Sequence, residues 1–340
     1  MALAFRAQYT GRTYPVELMP MNPAAIQADL AQLVETLSAV GTPLQALLPL
    51  LAAVLVALAV VPAWRGWLGT AVSASAALLV VGQLVLIWFH WRLYEIAVVV
   101  SPETGGVVGR IAIPLWVESV KLYVWALLLA VMAVLIRRHR QELLPGVAIL
   151  LAALMAAAAL WNEPFTEPLP IFFGQYLGYL SAMASGDPGV MFGAYQGMES
   201  ARQFYYNTIY MWVHPPALFF SYAAFAISFV ATIEMIRARH SAFETTAYRW
   251  ARLGYLPLTA GMLLGFPWAI IAWPGESWWW SAKVNMSIMM WLAYTALLHA
   301  RLYLRRPSMW RWVAGISVAA FVVLLLTYFS TYFVPGAHTV

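Results

Sequence analysis

The sequence predicts an all-α, polytopic membrane helix bundle of about eight transmembrane helices. Three observations carry that prediction. Of 340 residues, 63% are hydrophobic and 10% are charged, against roughly 25% charged in an ordinary soluble domain. Apolar runs of about 20 residues, the length that crosses the hydrocarbon core, recur along the whole chain. These runs are continuous and do not alternate, which argues against a β-barrel. A soluble globular protein, a disordered chain and a secreted disulfide scaffold are excluded on the same grounds.

The spans read over 43–62, 72–98, 111–136, 146–162, 208–236, 254–273, 284–304 and 312–334. Residues 1–42 form a polar leader without an early apolar core, so no cleavable signal peptide is expected. Within it, Asn22 to Val40 reads as a short amphipathic surface helix, with Asn22 as its N-cap and Pro23 following. Residues 43–340 form the transmembrane domain. Cytoplasmic loops carry an excess of Lys and Arg. Placing both termini outside puts twelve basic residues and three acids on the inner segments, and seven basic residues and eleven acids outside. The arginines therefore read as topology anchors, with membrane lipid as partner and no nucleic acid. The outer segment 162–207 mixes Pro164, Pro168, Pro170 and Pro188 with aromatics, and helices lying at the interface are expected there. No internal repeat, low-complexity tract or phosphate-cradling glycine loop is present.

The chain contains no cysteine, so it offers no thiolate ligand and no thiol chemistry. Of six histidines, His139 and His240 sit in basic inner loops. Four others lie in or beside apolar spans: His90, His214, His299 and His338. An ionisable residue inside a span is costly and usually faces the bundle interior with a partner. His214 and His338 fall at the outer surface. His299 lies 15 residues past the outer start of its span, roughly 22 Å deep at about 1.5 Å per residue. The simplest pairing is an outer pair, His214 with His338, and an intramembrane pair, His90 with His299. Two neutral imidazoles on opposite faces of a flat macrocycle suit haem iron, whereas zinc wants three or four ligands.

Between the sixth and seventh spans lies Trp273-Pro274-Gly275-Glu276-Ser277-Trp278-Trp279-Trp280-Ser281-Ala282-Lys283. Interfacial tryptophan is common. Here Trp273, Trp278, Trp279 and Trp280 concentrate on one loop, 273–284, and can stack on a flat ligand. Lys283 and Arg202 are candidate partners for a carboxylate such as a haem propionate.

This order of residues resembles the cytochrome c assembly protein family, the haem-handling membrane proteins with a tryptophan-rich signature. The family pattern runs from an outer His through a loop of the form W-G-x-Y-W-x-W-D-P-K-E. A helix with a late His-x-Arg and a final outer His complete it. Here His214 opens the likeness, Trp273, Gly275, Trp278, Trp280, Lys283 and Trp291 match the loop and next helix, and His299-Ala300-Arg301 matches the late motif. His338 matches the last histidine, and His90 with Arg92 after it resembles the early intramembrane histidine. Both signature acids are replaced, leaving Ser281-Ala282-Lys283-Val284.

The resemblance implies a multi-pass protein of the bacterial cytoplasmic membrane that carries haem b and presents it outside for covalent attachment to apocytochrome c. The chemistry would be like that of a cytochrome c haem lyase, with a partner bearing a large outer domain. The apocytochrome supplies the thiols, so absence of cysteine here is no obstacle. Two other readings compete. The same histidines would serve as permanent ligands in a b-haem subunit or anchor of a quinone-linked redox complex, or the chain is a transporter or scaffold without haem.

Overall fold

A computed structural model describes residues 22–238, 242–273, 275, 278–303 and 309–334, and among these it contains ten α-helices and one small antiparallel sheet. The helices are α1 (Pro23–Val60), α2 (Leu68–Ile96), α3 (Lys121–Arg137), α4 (Leu144–Ala157), α5 (Pro170–Ala184), α6 (Pro188–Ala201), α7 (Ile209–Ala238), α8 (Ala242–Ala272), α9 (Ala282–Ala300) and α10 (Met309–Phe333). The strands are β1 (Val98–Val100) and β2 (Val107–Arg110).

Among the described residues, seven helices are long and apolar enough to cross a membrane. They are α1, α2, α3 and α4 (the last two with the helical turns that extend them to Glu118–Arg137 and Gln141–Asn162), α7, α8 and α10, and they coincide with seven of the eight expected spans. The eighth, α9, has 19 residues. Its apolar run is interrupted by Lys283, Asn285 and His299, and it is held between α8 and α10. Helices are the fitting solution, because each backbone donor and acceptor must find its partner within the chain when no water is at hand.

The start of α1 agrees with the sequence reading. The Asn22 side chain accepts from the Ala24 and Ala25 amides at 3.1 and 3.3 Å, with Pro23 in the first turn. The separate surface helix over 22–40 is not found. The helix runs unbroken through Pro43 and Pro49 to Val60, about 57 Å at ~1.5 Å per residue. No unfavourable capping pair stands between the amphipathic stretch and the apolar one, so nothing divides them. The helix stops where Val61 takes an extended conformation ahead of Pro62, as a residue before proline prefers.

The bundle has two halves. α1 packs on α2 and α4, and α3 packs on both α2 and α4; α7 packs along α8, and α9 along α10. Contacts of α7 with α3 and α4 join the halves, and α10 packs on α7 within the second. Small residues make these approaches close: Ser221, Ala223, Ala224, Ala226 and Ala231 are all buried on α7, as expected where helices associate by packing in lipid. Buried hydroxyls fix the register, with Ser228 Oγ donating to the Ala247 carbonyl at 2.7 Å and Thr232 Oγ1 sharing a hydrogen with Ser317 Oγ at 2.8 Å.

The β hairpin is absent from the sequence expectation. Val98–Val100 is a β-branched run that pairs with Val107–Arg110 across a turn containing Gly105 at φ +64°. Its free edge is covered by α5: the Tyr176 hydroxyl bonds both the amide and the carbonyl of Val98 at 2.9 and 2.8 Å, and Tyr179 receives the Val100 amide at 2.8 Å. The segment 162–207 does contain helices, α5 and α6. Asn207 at its end ties back to β2 and the residues just after that strand, accepting from the Ala112 amide at 2.8 Å and donating to the Arg110 carbonyl at 2.9 Å.

Candidate functional site

The site begins with two prolines. Pro215, inside α7, has no amide hydrogen to give the Met211 carbonyl four residues back. That freed carbonyl is taken by the Trp116 indole, whose Nε1 donates at 2.6 Å. The first turns of α7 are thereby pinned to the loop before α3. His214 immediately precedes Pro215, and its ring is turned toward α8. Its Nδ1 lies 2.6 Å from the Gly261 carbonyl. A carbonyl can only accept, so the proton sits on Nδ1 and Nε2 keeps its lone pair. Gly265, one turn along α8, makes room for the ring: a Cβ there would fall 2.8 Å from Cε1 and 3.1 Å from Nδ1 of His214.

His214 lines a cavity of about 360 Å³, within the roughly 300–1,000 Å³ range of small-molecule sites. Its walls are largely flat rings, among them Trp116, Tyr205, Tyr222, Trp268 and Trp273. Trp268 stands beside the histidine, with ring centroids 6.1 Å apart at 37°, and it is edge-on to Trp273 at 4.9 Å. The Trp268 indole donates to the Phe204 carbonyl at 3.0 Å, which holds its plane. A second chamber of about 100 Å³ lies beyond, sharing His214, Leu218, Trp268 and Lys283 and walled by Phe266 and Trp278.

The chain has only two lysines, Lys121 and Lys283, and both line the larger chamber. Lys283 donates to the Thr327 carbonyl at 3.2 Å and lies 5.7 Å from the centroid of the Tyr328 ring. Glu118 also lines the chamber, but its carboxylate accepts the Ile171 and Phe172 amides at 2.9 and 3.2 Å at the start of α5. Glu118 has φ +48°, a left-handed conformation that costs a non-glycine residue roughly 1–3 kcal/mol and persists only when its surroundings impose it. Here the two charge-assisted amide bonds impose it. The carboxylate is thus committed to a helix end, and it forms no direct ion pair with either lysine among the described residues.

The tryptophan loop divides its labour. Trp273 walls the larger chamber and Trp278 the smaller. Trp278 and Trp279 stack at 3.7 Å, and Trp279 also stacks on Phe266 at 5.8 Å. Trp280 points away and is 81% exposed. Ser281, which replaces a signature acid, caps α9 by accepting the Val284 amide at 3.4 Å. Arg202 is occupied elsewhere, in a two-point pair with Glu199 at 2.6 Å for each bond. This pair lies outside the spans, and the Arg202 guanidinium outweighs partial burial to hold the Glu199 carboxyl below its usual range.

The remaining histidines do not gather as expected. His90 lies 22 residues past the start of α2 and His214 near the start of α7, while Leu68 and Arg237, at the other ends of these helices, share one cavity. His90 and His214 are therefore toward the same end of the bundle. His299 is 16 residues past Lys283 on α9, about 24 Å away at ~1.5 Å per residue. It is exposed, and its Nδ1 bonds the Thr295 carbonyl at 2.8 Å. His90 and His299 thus lie toward opposite ends and form no pair around one iron. His90 donates from Nδ1 to the Ile113 carbonyl at 3.0 Å, leaving Nε2 buried without a partner, outside the chamber that holds His214. His338 and His240 lie outside the described residues. Among the described residues no group of three or more His, Asp or Glu is placed to hold a bare metal ion.

Sequence reasoning missed Lys121, Glu118, Trp116 and Trp268. Phe266-Pro267-Trp268 and the paired lysines were the available signals. A lysine inside an apolar span was the clearer one, given how rarely such a residue is free of function.

The chain is 29% identical over 219 residues to the probable cytochrome c-type biogenesis protein NrfE of Escherichia coli (strain K12), covering 60% of this chain and 35% of that protein. It is 35% identical over 119 residues to the cytochrome c-type biogenesis protein CycK of Bradyrhizobium diazoefficiens, covering 34% and 18% of the two chains. With the CcmF protein of Escherichia coli (strain K12) the identity is 31% over 118 residues, covering 33% and 18%. The matched region therefore spans about a third or less of each relative's length. The family model described as cytochrome C assembly protein matches residues 115–338, which takes in α3 to α10, both lysines and His214. This multi-pass helical membrane chain belongs to the cytochrome c assembly protein family.

Proposed function

We propose that the chain holds haem b at its outer face and presents it for covalent attachment to an apocytochrome c. The observation that carries this reading is His214. Its Nδ1 proton is fixed on a backbone carbonyl, its Nε2 lone pair is open, and its ring rests in a glycine cradle beside a cavity of flat aromatic walls. Metal-bound histidines characteristically donate their other N–H to such a carbonyl, which orients the ring and raises its basicity. The residues present fit a haem. His214 would bind the iron, with His338 as the expected second ligand. Lys121 and Lys283 would receive the two propionates, and Trp268 and Trp273 would cover the ring and exclude water.

Haem supplies the vinyl groups to which cysteine thiols of the apocytochrome add. The chain's own residues bind and orient. His214 would hold the haem iron and the two ammonium groups its carboxylates, so that these three side chains together would orient the group. Exposed Trp280 and half-exposed Trp279 would offer a docking surface beside the chambers for the apocytochrome or for a partner with an outer domain. A site at the outer side of a bacterial cytoplasmic membrane agrees with the arginine excess at the opposite ends of the helices. The competing reading, a permanent b-haem subunit, gains little support, because His90 and His299 do not form an internal pair.

The test is a cytochrome c maturation reporter in cells lacking this protein. Loss of covalent haem in the reporter, restored by the wild-type chain but not by His214→Ala, is the expected result. Full maturation without the protein, with haem retained stoichiometrically through quinol turnover, would establish the redox reading instead.

A further inference from the structure

The end of the bundle opposite His214 holds a second large cavity, of about 930 Å³. His214 and Arg237 stand 23 residues apart on α7, about 35 Å at ~1.5 Å per residue, so the two cavities are a bilayer's thickness apart. The second is polar. Arg65, Arg137, Arg138 and Arg237 line it, against two acids, Glu142 and Glu234. Of the arginines only Arg237 has a carboxylate partner among the described residues, Glu234 at 3.0 Å. Glu142 pairs with Arg140, at 3.3 Å. Arg137 is fixed in place, donating to the Gly69 carbonyl at 2.8 Å and Ser73 Oγ at 2.7 Å. Arg65 donates from Nε to the Ala59 carbonyl at 3.2 Å, and Arg138 is exposed.

Three arginines thus line one cavity without a direct carboxylate partner among the described residues, against two acids already paired with other arginines. Guanidinium matches phosphate in shape and can bond it at two points. The surroundings say which phosphate. Trp64 and Trp67, on the turn that carries Arg65, are 53% and 70% exposed, and Val60 and Leu135 are exposed apolar residues at the adjoining helix ends. Aromatic side chains at this depth mark the membrane–water boundary, and bare aliphatic faces beside a basic pocket are where acyl chains would lie. Basic pockets between helix ends on the cytoplasmic side bind anionic lipid headgroups. We propose that this arginine cavity holds the phosphate of an anionic phospholipid, which fills the gap between the α3–α4 turn and the ends of α2 and α7.

Native mass spectrometry of the detergent-solubilised protein tests this, with cardiolipin, phosphatidylglycerol and phosphatidylcholine titrated separately. Arg65→Gln with Arg138→Gln is the variant, because neither residue ties two helices together as Arg137 does. Arg249→Gln, an arginine outside the cavity, is the control. At least tenfold stronger retention of the two anionic lipids than of phosphatidylcholine is expected in the wild type and the control, falling to the phosphatidylcholine level in the double variant. A monodisperse gel-filtration profile shows that this variant is folded, and Arg138→Gln alone, with a smaller fall, provides a second reading. Equal retention of all three lipids, or unchanged retention in both variants, overturns the proposal. Inorganic phosphate that binds the cavity as well as the lipids do, displacing them at matched concentration, assigns it to a soluble anion and also overturns it.

Discussion

Gly265→Ala is the sharpest probe of the haem site, because it leaves every ligand in place. The added Cβ would lie 2.8 Å from Cε1 and 3.1 Å from Nδ1 of His214, against the roughly 3.5–4.0 Å at which carbon atoms are comfortable. The imidazole must therefore shift by about 0.7 Å or rotate. Either movement weakens the 2.6 Å bond from Nδ1 to the Gly261 carbonyl, by stretching it toward the limit of hydrogen bonding or by turning Nδ1 off the carbonyl. An unmade hydrogen bond at a buried polar atom costs about 1–3 kcal/mol, and losing the group that orients a metal-bound histidine typically weakens the metal by about 10–100-fold. Alanine is the better helix former by about 1 kcal/mol, so the fold should hold. The assay is titration of the purified protein with haem, following the Soret band, alongside a melting curve. Haem affinity should fall at least tenfold while the melting temperature changes by a few degrees at most. Gly178→Ala, on α5 with nothing within 4 Å of the added atom, should leave haem affinity unchanged. Unaltered affinity and spectrum in Gly265→Ala would refute the claim that this cradle positions an iron ligand.

Separate features carry the other expectations. Lys121→Met and Lys283→Met should each weaken binding of iron-free protoporphyrin IX, read by fluorescence, several-fold, and should not affect its dimethyl ester; equal effects on both would show that the lysines do not meet the acid side chains. Trp116→Phe strands the Met211 carbonyl that Pro215 leaves free, so about 1–3 kcal/mol of stability should be lost in denaturant titration. Tyr176→Phe removes both bonds to Val98 and should speed amide exchange in the β hairpin. Because Arg202 lowers the folded-state pKa of Glu199, their pair contributes stability above the unfolded carboxylate value of about 4.3, and this is lost as pH falls through the lower folded value. Glu199→Gln should therefore melt below wild type at neutral pH, with the gap closing toward pH 3.

The helices were legible because a bilayer demands long apolar runs, and seven of the eight spans meet that demand on composition alone. α9 was legible as a helix at the place of the eighth expected span, but its polar residues keep it out of the set long and apolar enough to cross a membrane among the described residues. His214 and Trp273 could be picked out because a histidine or a tryptophan cluster is conspicuous in an apolar sequence. The chamber itself could not be read. Its walls come from the loop before α3, from α3 and α5, the segment after α6, and α7, α8, α9 and α10, which together span more than two hundred residues of the chain, and nothing local says that Lys121 and Lys283 face one space. Pairing His90 with His299 failed for a related reason. Depth along a helix was estimated for one of them only, and the ends at which two distant helices place their side chains depend on where each helix stops. The hairpin was missed because its strands are three and four residues long and are held by tyrosines of α5 far along the chain.

The most direct test of the central claim is the optical and electron paramagnetic resonance spectrum of haem-loaded protein, compared between wild type and His214→Gly, with and without added imidazole. Ligation by His214 predicts a low-spin histidine signature in the wild type, its loss in His214→Gly, and its return when free imidazole enters the vacated space. A spectrum that is the same in both proteins and indifferent to imidazole would contradict it.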